Sequence, residues 1–541
     1  MKKFLRLVCL SLALLMVCSC AFAEGAVRPV EEDTSNYTEV GTYKPLCVEK
    51  ETLTIMMPVG ASVEDITTNI FTVNLGESTN VEITWIAVPE AAWTEQRNLM
   101  MADGNYPDII IAGGNAAYWS NTDIAKYADE GILLPLDYYI ENCMPGYQSF
   151  LATRGNLLDQ TVAPDGHIYS LAGSNNCFHA YAGSYKAFIS KTYLEAAGYT
   201  QNPTTTDELY DMLVKMRDSG ENVVPLAGTS ECIRTWIVNA FIYDGVKNCH
   251  CYVEDGVVKC AYTTEAYREA LRFIKKLYDE GLIDQTFLTA TASDIKALTE
   301  REGGNLVGMQ IANTNNIYNT AGSDAYYDFM NMCAPITGPD GVCTCYWNYE
   351  NHEYNVACIF ATCEKPELAA RWLDNFYANW ELCFDSRFGA EGVKWAWCEE
   401  GEVALDGSQA KWKKLTGLSI DTLQNSYWGS NGINGAFEHT TQANDAVGME
   451  GFLYAGVKNY EAVKPDYSSY LPTHLWMDAD DSAELAQYET DLTSYMNNSF
   501  ASFIKGDMDL DKDWDSYVNE LNKIGLPDYI ALMQSAYDQT K

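Results

Sequence analysis

The sequence predicts an α/β protein of two or more packed lobes. Short apolar strands alternate with amphipathic helical stretches, the order that parallel strands joined by crossover helices require. The 541 residues are too many for one compact core. Hydrophobic residues make up 47% and charged residues 20%, the composition of a folded chain rather than a disordered one.

Residues 1–23 are read as a leader and excluded from the fold. Lys2, Lys3 and Arg6 form a basic start, and Leu7 to Val17 an apolar stretch too short to span a bilayer. Two processing readings compete. "AFA", Ala21 to Ala23, suits an ordinary signal peptidase, whereas "VCSC", Val17 to Cys20, resembles a bacterial lipobox with Cys20 as the lipidated residue. Either reading puts the mature protein outside the cytoplasmic membrane, as a lipoprotein on its outer face or secreted. Residues 24–49 are polar, acidic and irregular, and are expected to form a flexible tether.

Regular structure begins at "TLTIMMP", a strand ending at Pro58, followed by the strand "VEITWIAV". A helix through "WTEQRNLMMADG" stops at Gly104, and the buried strand "DIII" follows. "ADEGILLPLDYYIEN" reads as a helix end, a glycine turn and a second helix; "APDGHIYSLAG" reads as a tight turn and a short strand. "ISKTYLEAAGY" is a short helix. In "NPTTTDELYDMLVKM", Thr205 and Glu208 have capping-box spacing, and Leu209, Met212, Leu213 and Met216 share a face. "TTEAYREALRFIKKLYDEG" ends at Gly281, "KPELAARWLDNFY" opens on Pro366, and the last two long helices stop at Gly506 and Gly525. Trp372 falls on an apolar stripe and is assigned to the core.

Charge excludes some partners. With a formal net charge of −40, nucleic acid and anionic membrane surfaces are repelled. Three of the 17 cysteines (Cys9, Cys18, Cys20) lie in or at the leader, leaving 14. These are either disulfide partners of an exported chain or buried thiols. "CHC" (249–251) and "CTC" (343–345) lack zinc-site spacing, so no metal is expected. The segment 217–226 has no alternating Asp/Asn ligands, and in "DMDLDKDWD" Lys512 stands where a calcium loop needs glycine. The catalytic motifs G-x-S-x-G, H-E-x-x-H and the Walker loop are missing, and histidines number 6. No catalytic residue is assigned.

"GNYPDIII", "YADEGILLPLDYYI", "PDGHIYSL", "ISKTYLEAAGYTQNPTTTDELYDML", "LYDEGLID", "EKPELAARWLDNFY", "FGAEGVKW" and the tail from Tyr495 occur in one order from about residue 50 to the end. In them the chain resembles bacterial extracellular solute-binding proteins of carbohydrate ABC importers, in particular the large lipoprotein branch. The resemblance implies a type II periplasmic-binding-protein-like fold: two discontinuous α/β lobes, hinge crossovers near residues 166–173, 332–341 and 388–395, and a helical C-terminal region. Lobe 1 is expected to hold 50–166 plus 340–388, and lobe 2 173–332 plus 395–541. The implied function is capture of a sugar, in all expectation an oligosaccharide, between the lobes and its delivery to a permease. The chain is expected to act as a monomer without a cofactor. A receptor for a non-sugar solute such as a peptide, and a secreted glycan-degrading enzyme, are the alternatives.

Ligand crevices in open α/β sheets lie beyond the carboxyl ends of the strands. After "DIII" come two glycines that let a ligand approach the backbone, then Asn115, Tyr118 and Trp119. Rings stack on the C–H faces of sugars, and amides match their hydroxyls. For Trp119 the alternative is packing inside its own lobe. By the same placement on loops, Arg234, Trp236, Asn313, Glu391, Trp395, Trp397 and Trp428 are candidate binding residues. Only Arg234 and Lys394 are basic among these loops, so the expected sugar is neutral.

Overall fold

The computed structural model describes residues 30–540 except 113–118, 154–156, 175–176, 351, 416–423, 430–432, 434–438 and 445–447. The chain forms two compact units. The first holds residues up to Asn175, then His352–Cys398 and Trp412–Phe437; the second holds Asn176–Asn351, Glu399–Lys411 and Glu438–Lys541. Strands are numbered along the chain.

In the first unit, β1 (Glu51–Val59) runs parallel to β2 (Val81–Pro89), in register from Glu51 opposite Val81, and to β3 (Ile109–Ile111). The helices Ile70–Thr79 and Trp93–Asp103 make the crossovers. Gly104 ends the second of these at a φ of 73°, a left-handed position that suits a residue without Cβ. β4 (Leu171–Ser174) and β11 (His352–Ile359) complete a sheet of order β2-β1-β3-β11-β4, with β11 antiparallel to both its neighbours. The run Ile109–Ile111 is buried because helices cover it, and Trp372 of the helix Pro366–Ala378 is fully buried against this core.

The second unit has a sheet of order β10-β5-β9-β6, from β5 (Lys186–Ile189), β6 (Val224–Gly228), β9 (Val307–Ala312) and β10 (Met332–Cys333). β6 and β9 are parallel, while β5 opposes β9. β7 (Cys251–Glu254) and β8 (Val257–Cys260) form a separate hairpin. Thr205 Oγ1 accepts from Glu208 N at 3.2 Å, but the Glu208 carboxylate reaches Thr204 N at 2.7 Å, one residue before the reciprocal capping-box partner. The helices Ala479–Lys505 and Trp514–Ile524 stop at Gly506 and Gly525, both with positive φ. Among the described residues no helix is long and apolar enough to cross a membrane.

Four segments depart from the sequence reading. Residues 30–49, expected as a tether, are docked on the first unit. Leu46 and Cys47 are fully buried, Arg371 donates to Thr38 Oγ1 and Glu39 O (both 3.1 Å), and Tyr43 OH donates to Asp374 at 2.7 Å. Long-range partners of this kind leave no periodic trace in a polar segment. Residues 395–398 and 412–415, expected in the second lobe, belong to the first unit. There β12 (Trp395–Trp397) pairs with β13 (Trp412–Lys414), and both lead tryptophans pack on Phe384 at 4.8 Å. Residues 340–350 join the second unit: Asn348 N donates to Tyr181 O at 2.7 Å, and Trp347 stacks on Tyr181 at 5.3 Å.

Candidate functional site

The polar groups collect where the parallel strands end. In the first unit the loop after β1 is held by the segment 424–429. Asn425 N donates to Ser62 O at 2.9 Å, Asn425 Nδ2 donates to Thr68 Oγ1 at 3.0 Å, and Gln424 Nε2 donates to Ala61 O at 3.0 Å. The same segment presents Tyr427, whose hydroxyl accepts from Lys394 Nζ at 2.9 Å. Glu391 and Trp397, which flank Lys394 in the sequence, are exposed. At the end of β3, the irregularity in β11 puts Asn355 at a φ of 53°. Its side chain is buried: Nδ2 donates to Trp119 O (2.8 Å) and Asn121 Oδ1 (3.2 Å), and Oδ1 accepts from Ser170 Oγ (2.6 Å). An asparagine tolerates this left-handed backbone better than most residues do, and here it ties three segments together.

In the second unit, β9 ends at Ala312, paired with Lys186 at the start of β5, and Asn313 follows it. Lys186, with no exposed surface, donates to Asn313 Oδ1 (3.1 Å), His179 O (3.0 Å) and Gly183 O. Burial pulls its pKa down to about 7, because three neutral acceptors do not replace the lost hydration of an ammonium. Tyr185 OH donates to Glu231 Oε1 at 2.5 Å, at the start of the helix Ser230–Val238 that follows β6. A half-buried aromatic patch adjoins this edge. Phe178 lies 4.8 Å from Tyr454, and Trp347 lies between Tyr181 and the Lys464 ammonium, which is 5.2 Å from its ring. Glu350, buried and with its pKa raised by that burial, accepts from Thr473 N at 2.9 Å and Tyr470 OH at 3.2 Å.

The residues singled out in the sequence fall into three groups. Asn115, Tyr118 and Cys20 lie outside the described residues. Glu391, on the turn before β12, and Trp397, at the end of β12, are exposed, with Trp397 N donating to Glu391 Oε1 at 3.4 Å, and Asn313 is half-buried on Lys186. The remaining rings and Arg234 are packed inside their units. Trp395 and Trp428, proposed as binding rings, are corrected to core rings. Both are fully buried. Trp395 stacks on Phe384 and donates to Gly389 O (2.8 Å), and Trp428 stacks on Phe376 and donates to Thr72 Oγ1 (2.8 Å). Trp236 is buried with its Nε1 on Tyr460 OH at 3.3 Å. Trp119 is buried against Tyr127 and Phe360, with the Arg97 guanidinium 5.7 Å from its ring. Arg234 lies between Tyr262 and Phe500 and donates to Asn497 Oδ1 at 2.8 Å.

Sequence reading missed Lys186, Glu231, Asn355 and the Phe178–Tyr181–Trp347 patch. A lysine inside the apolar run "YKAFI" is a legible signal of a buried, partnered amine, and the aromatics of "CYWNYEN" sit on an irregular segment.

Comparison with known proteins bears on this arrangement. The family model for bacterial extracellular solute-binding proteins matches residues 62–379, more than half of the chain. The fructooligosaccharide ABC transporter substrate-binding protein FusA of Streptococcus pneumoniae serotype 4 is 25% identical over 572 aligned residues, covering 98% of this chain and 97% of the relative. The structure of FusA in complex with kestose superposes with a TM-score of 0.69 at 22% identity, over 90% of this chain and 99% of that one. A solute-binding protein associated with an HMO-binding ABC transporter of Bifidobacterium longum infantis superposes with a TM-score of 0.75 at 19% identity, over 90% and 99%. The two α/β units are therefore the fold of these solute-binding proteins, and the chain belongs to the family of bacterial extracellular solute-binding proteins.

Proposed function

We propose that this chain is the extracytoplasmic receptor of an ABC importer, that it captures an oligosaccharide, and that the oligosaccharide is neutral. The end-to-end similarity to a fructooligosaccharide receptor carries the reading. The local chemistry supports it. The strand ends offer amides, carboxylates and half-exposed rings, the groups that hydroxyl rims and C–H faces of sugars use. Neutrality rests on the basic residues. Arg234 is committed to Asn497 and two rings, and Lys394 to Tyr427, so neither is poised as a bidentate carboxylate clamp. The binding residues proposed at the strand ends are Glu391, Trp397, Asn313 and, from the sequence alone, Asn115 and Tyr118. The receptor works as a monomer that binds without turning its ligand over, and Cys20 carries the lipid that tethers it beside the permease.

Calorimetry with kestose-type fructooligosaccharides and with size-matched uronate oligosaccharides, each at two salt concentrations, tests the reading. Neutral sugars are expected to bind more tightly and without salt dependence. Tighter uronate binding that weakens as salt rises would overturn the neutral assignment. Release of shorter sugars during the incubation would overturn the receptor assignment. Mass spectrometry of the mature amino terminus distinguishes a lipidated Cys20 from cleavage after Ala23.

A further inference from the structure

The short turn that Lys186 grips carries a second constellation. Cys177 precedes the 3₁₀ turn Phe178–Ala182, on which His179 stands, and Glu450 lies in the first turn of the helix Met449–Glu461 packed against it. Cys177 Sγ, a His179 ring nitrogen and a Glu450 carboxylate oxygen all lie within 4.8 Å of one another. His179 Nε2 and Glu450 Oε2 are 3.6 Å apart, with only 12% and 13% of their side chains exposed.

We propose that Cys177, His179 and Glu450 form a zinc site in the second unit, with a water as fourth ligand. One sulfur, one nitrogen and one oxygen donor suit a borderline dication and not calcium or magnesium, which take oxygen alone. Zinc bonds of about 2.0–2.3 Å place tetrahedral donors about 3.4–3.7 Å apart, so the trio must close by about 1 Å, a side-chain adjustment. Charge balances as well. On binding, the Cys177 thiol releases its proton to solvent, and the resulting thiolate and the Glu450 carboxylate neutralise the dication in a half-buried place.

The neighbouring cations allow this. Lys186 is buried next to Cys177, but its amine is directed to the carbonyls of His179 (3.0 Å) and Gly183, where it orients the turn. Lys458 points over the Phe178 ring at 4.4 Å and pairs with Glu461 at 2.8 Å. The bound ion would clamp the turn bearing Phe178 and Tyr181 to the helix that carries Tyr454, fixing the aromatic patch. Neither "CHC" nor "CTC" contributes. The third ligand is 271 residues from His179 (450 − 179), which is why no spacing motif announces it.

The test uses the full mature protein, stripped with a chelator and re-equilibrated with zinc, calcium or magnesium, and counts bound metal after desalting. About one zinc per chain is expected, with neither calcium nor magnesium retained. Cys177→Ser and Glu450→Gln should each weaken zinc binding roughly 100-fold or more, while Cys343→Ser, at a half-buried thiol elsewhere, should not. Cobalt should give a thiolate charge-transfer band that Cys177→Ser abolishes and Glu450→Gln retains at high cobalt. Less than stoichiometric zinc in the parent protein, or equal zinc retention by folded Cys177→Ser, overturns the site. Should Cys177→Ser fail to fold, zinc affinity unchanged in Glu450→Gln overturns it equally.

Discussion

Single residues show what burial does to charge. Lys186 has a folded-state pKa of about 7, below the usual lysine range, because it is desolvated. Between pH 7 and about 10.4 the unfolded chain therefore binds more protons than the folded one, and this residue's contribution to stability rises with pH. Urea unfolding should show the parent protein gaining up to about 4 kcal/mol on Lys186→Met across that window. A constant difference would show that the amine stays charged. Asp244 behaves in the opposite sense. Burial raises its pKa, but the interactions with His250 (2.9 Å) outweigh that, together with the Val246 amide at 2.7 Å and the charge of Arg234, leaving it below the ordinary carboxylate range. Its stabilisation is present above about pH 4 and lost as pH falls through the lower folded value. Asp244→Ala leaves His250 and the Tyr262 hydroxyl (3.0 Å) without their partner and should cost about 3–5 kcal/mol at pH 7 by denaturant unfolding. A loss under about 1 kcal/mol would remove the network from the account of stability.

At the scale of elements, the helix Pro366–Ala378 illustrates how a distant segment finishes a local structure. Its own N-cap, Lys365, makes no side-chain cap. Glu32 does this from far away: its carboxylate accepts from Glu367 N at 2.8 Å and Leu368 N at 3.5 Å, and it also accepts from Tyr37 OH at 2.6 Å. A negative charge there also suits the helix dipole. Further along, Asp374 accepts from Tyr43 and from the amides of Gly146 (3.1 Å) and Tyr147 (2.6 Å), which joins the amino-terminal segment to the helix Pro145–Ala152. A chain beginning at Lys50 loses the cap, the Tyr43 bond and the burial of Leu46. Calorimetry should show its melting midpoint lowered by roughly 5–10 °C. An unchanged midpoint would mean that residues 30–49 rest on the surface without stabilising it.

Across the whole molecule, electrostatics are dominated by one sign. Without Lys2, Lys3 and Arg6, 32 basic residues face 75 acidic ones, a net charge of −43 (32 − 75). Many of the cations pair locally on helix surfaces, as Lys215 does with Asp211 at 2.7 Å and Lys523 with Glu520 at 2.8 Å, and such exposed pairs contribute little. Self-repulsion should therefore prevail. Raising salt from about 0.01 M to about 0.1 M shortens the screening length from about 30 Å to about 10 Å, and the melting midpoint should rise by a few degrees. A fall would show that surface pairs outweigh the net charge.

The sequence by itself determined the class of fold, most helix boundaries and the family. These follow from short-range physics: period-3.6 stripes such as Leu209–Met212–Leu213–Met216, glycines at left-handed ends such as Gly104 and Gly506, and proline at the start of Pro366–Ala378. It also determined that Trp372 is core, since a helical stripe has only one face to bury. Tertiary structure alone decided which aromatic rings on irregular segments are spent on packing. Trp395 and Trp397, two residues apart, share one face of β12 and both approach Phe384 (4.8 and 6.2 Å), yet one is fully buried and the other 39% exposed, because only the folded chain sets how far the cover over that face extends. The same holds for Lys186 with Asn313, for Asn355 with Trp119, and for Glu32 with Glu367. Their partners lie 127, 236 and 335 residues away in the sequence, a separation at which no periodicity survives and only the folded chain brings the groups together.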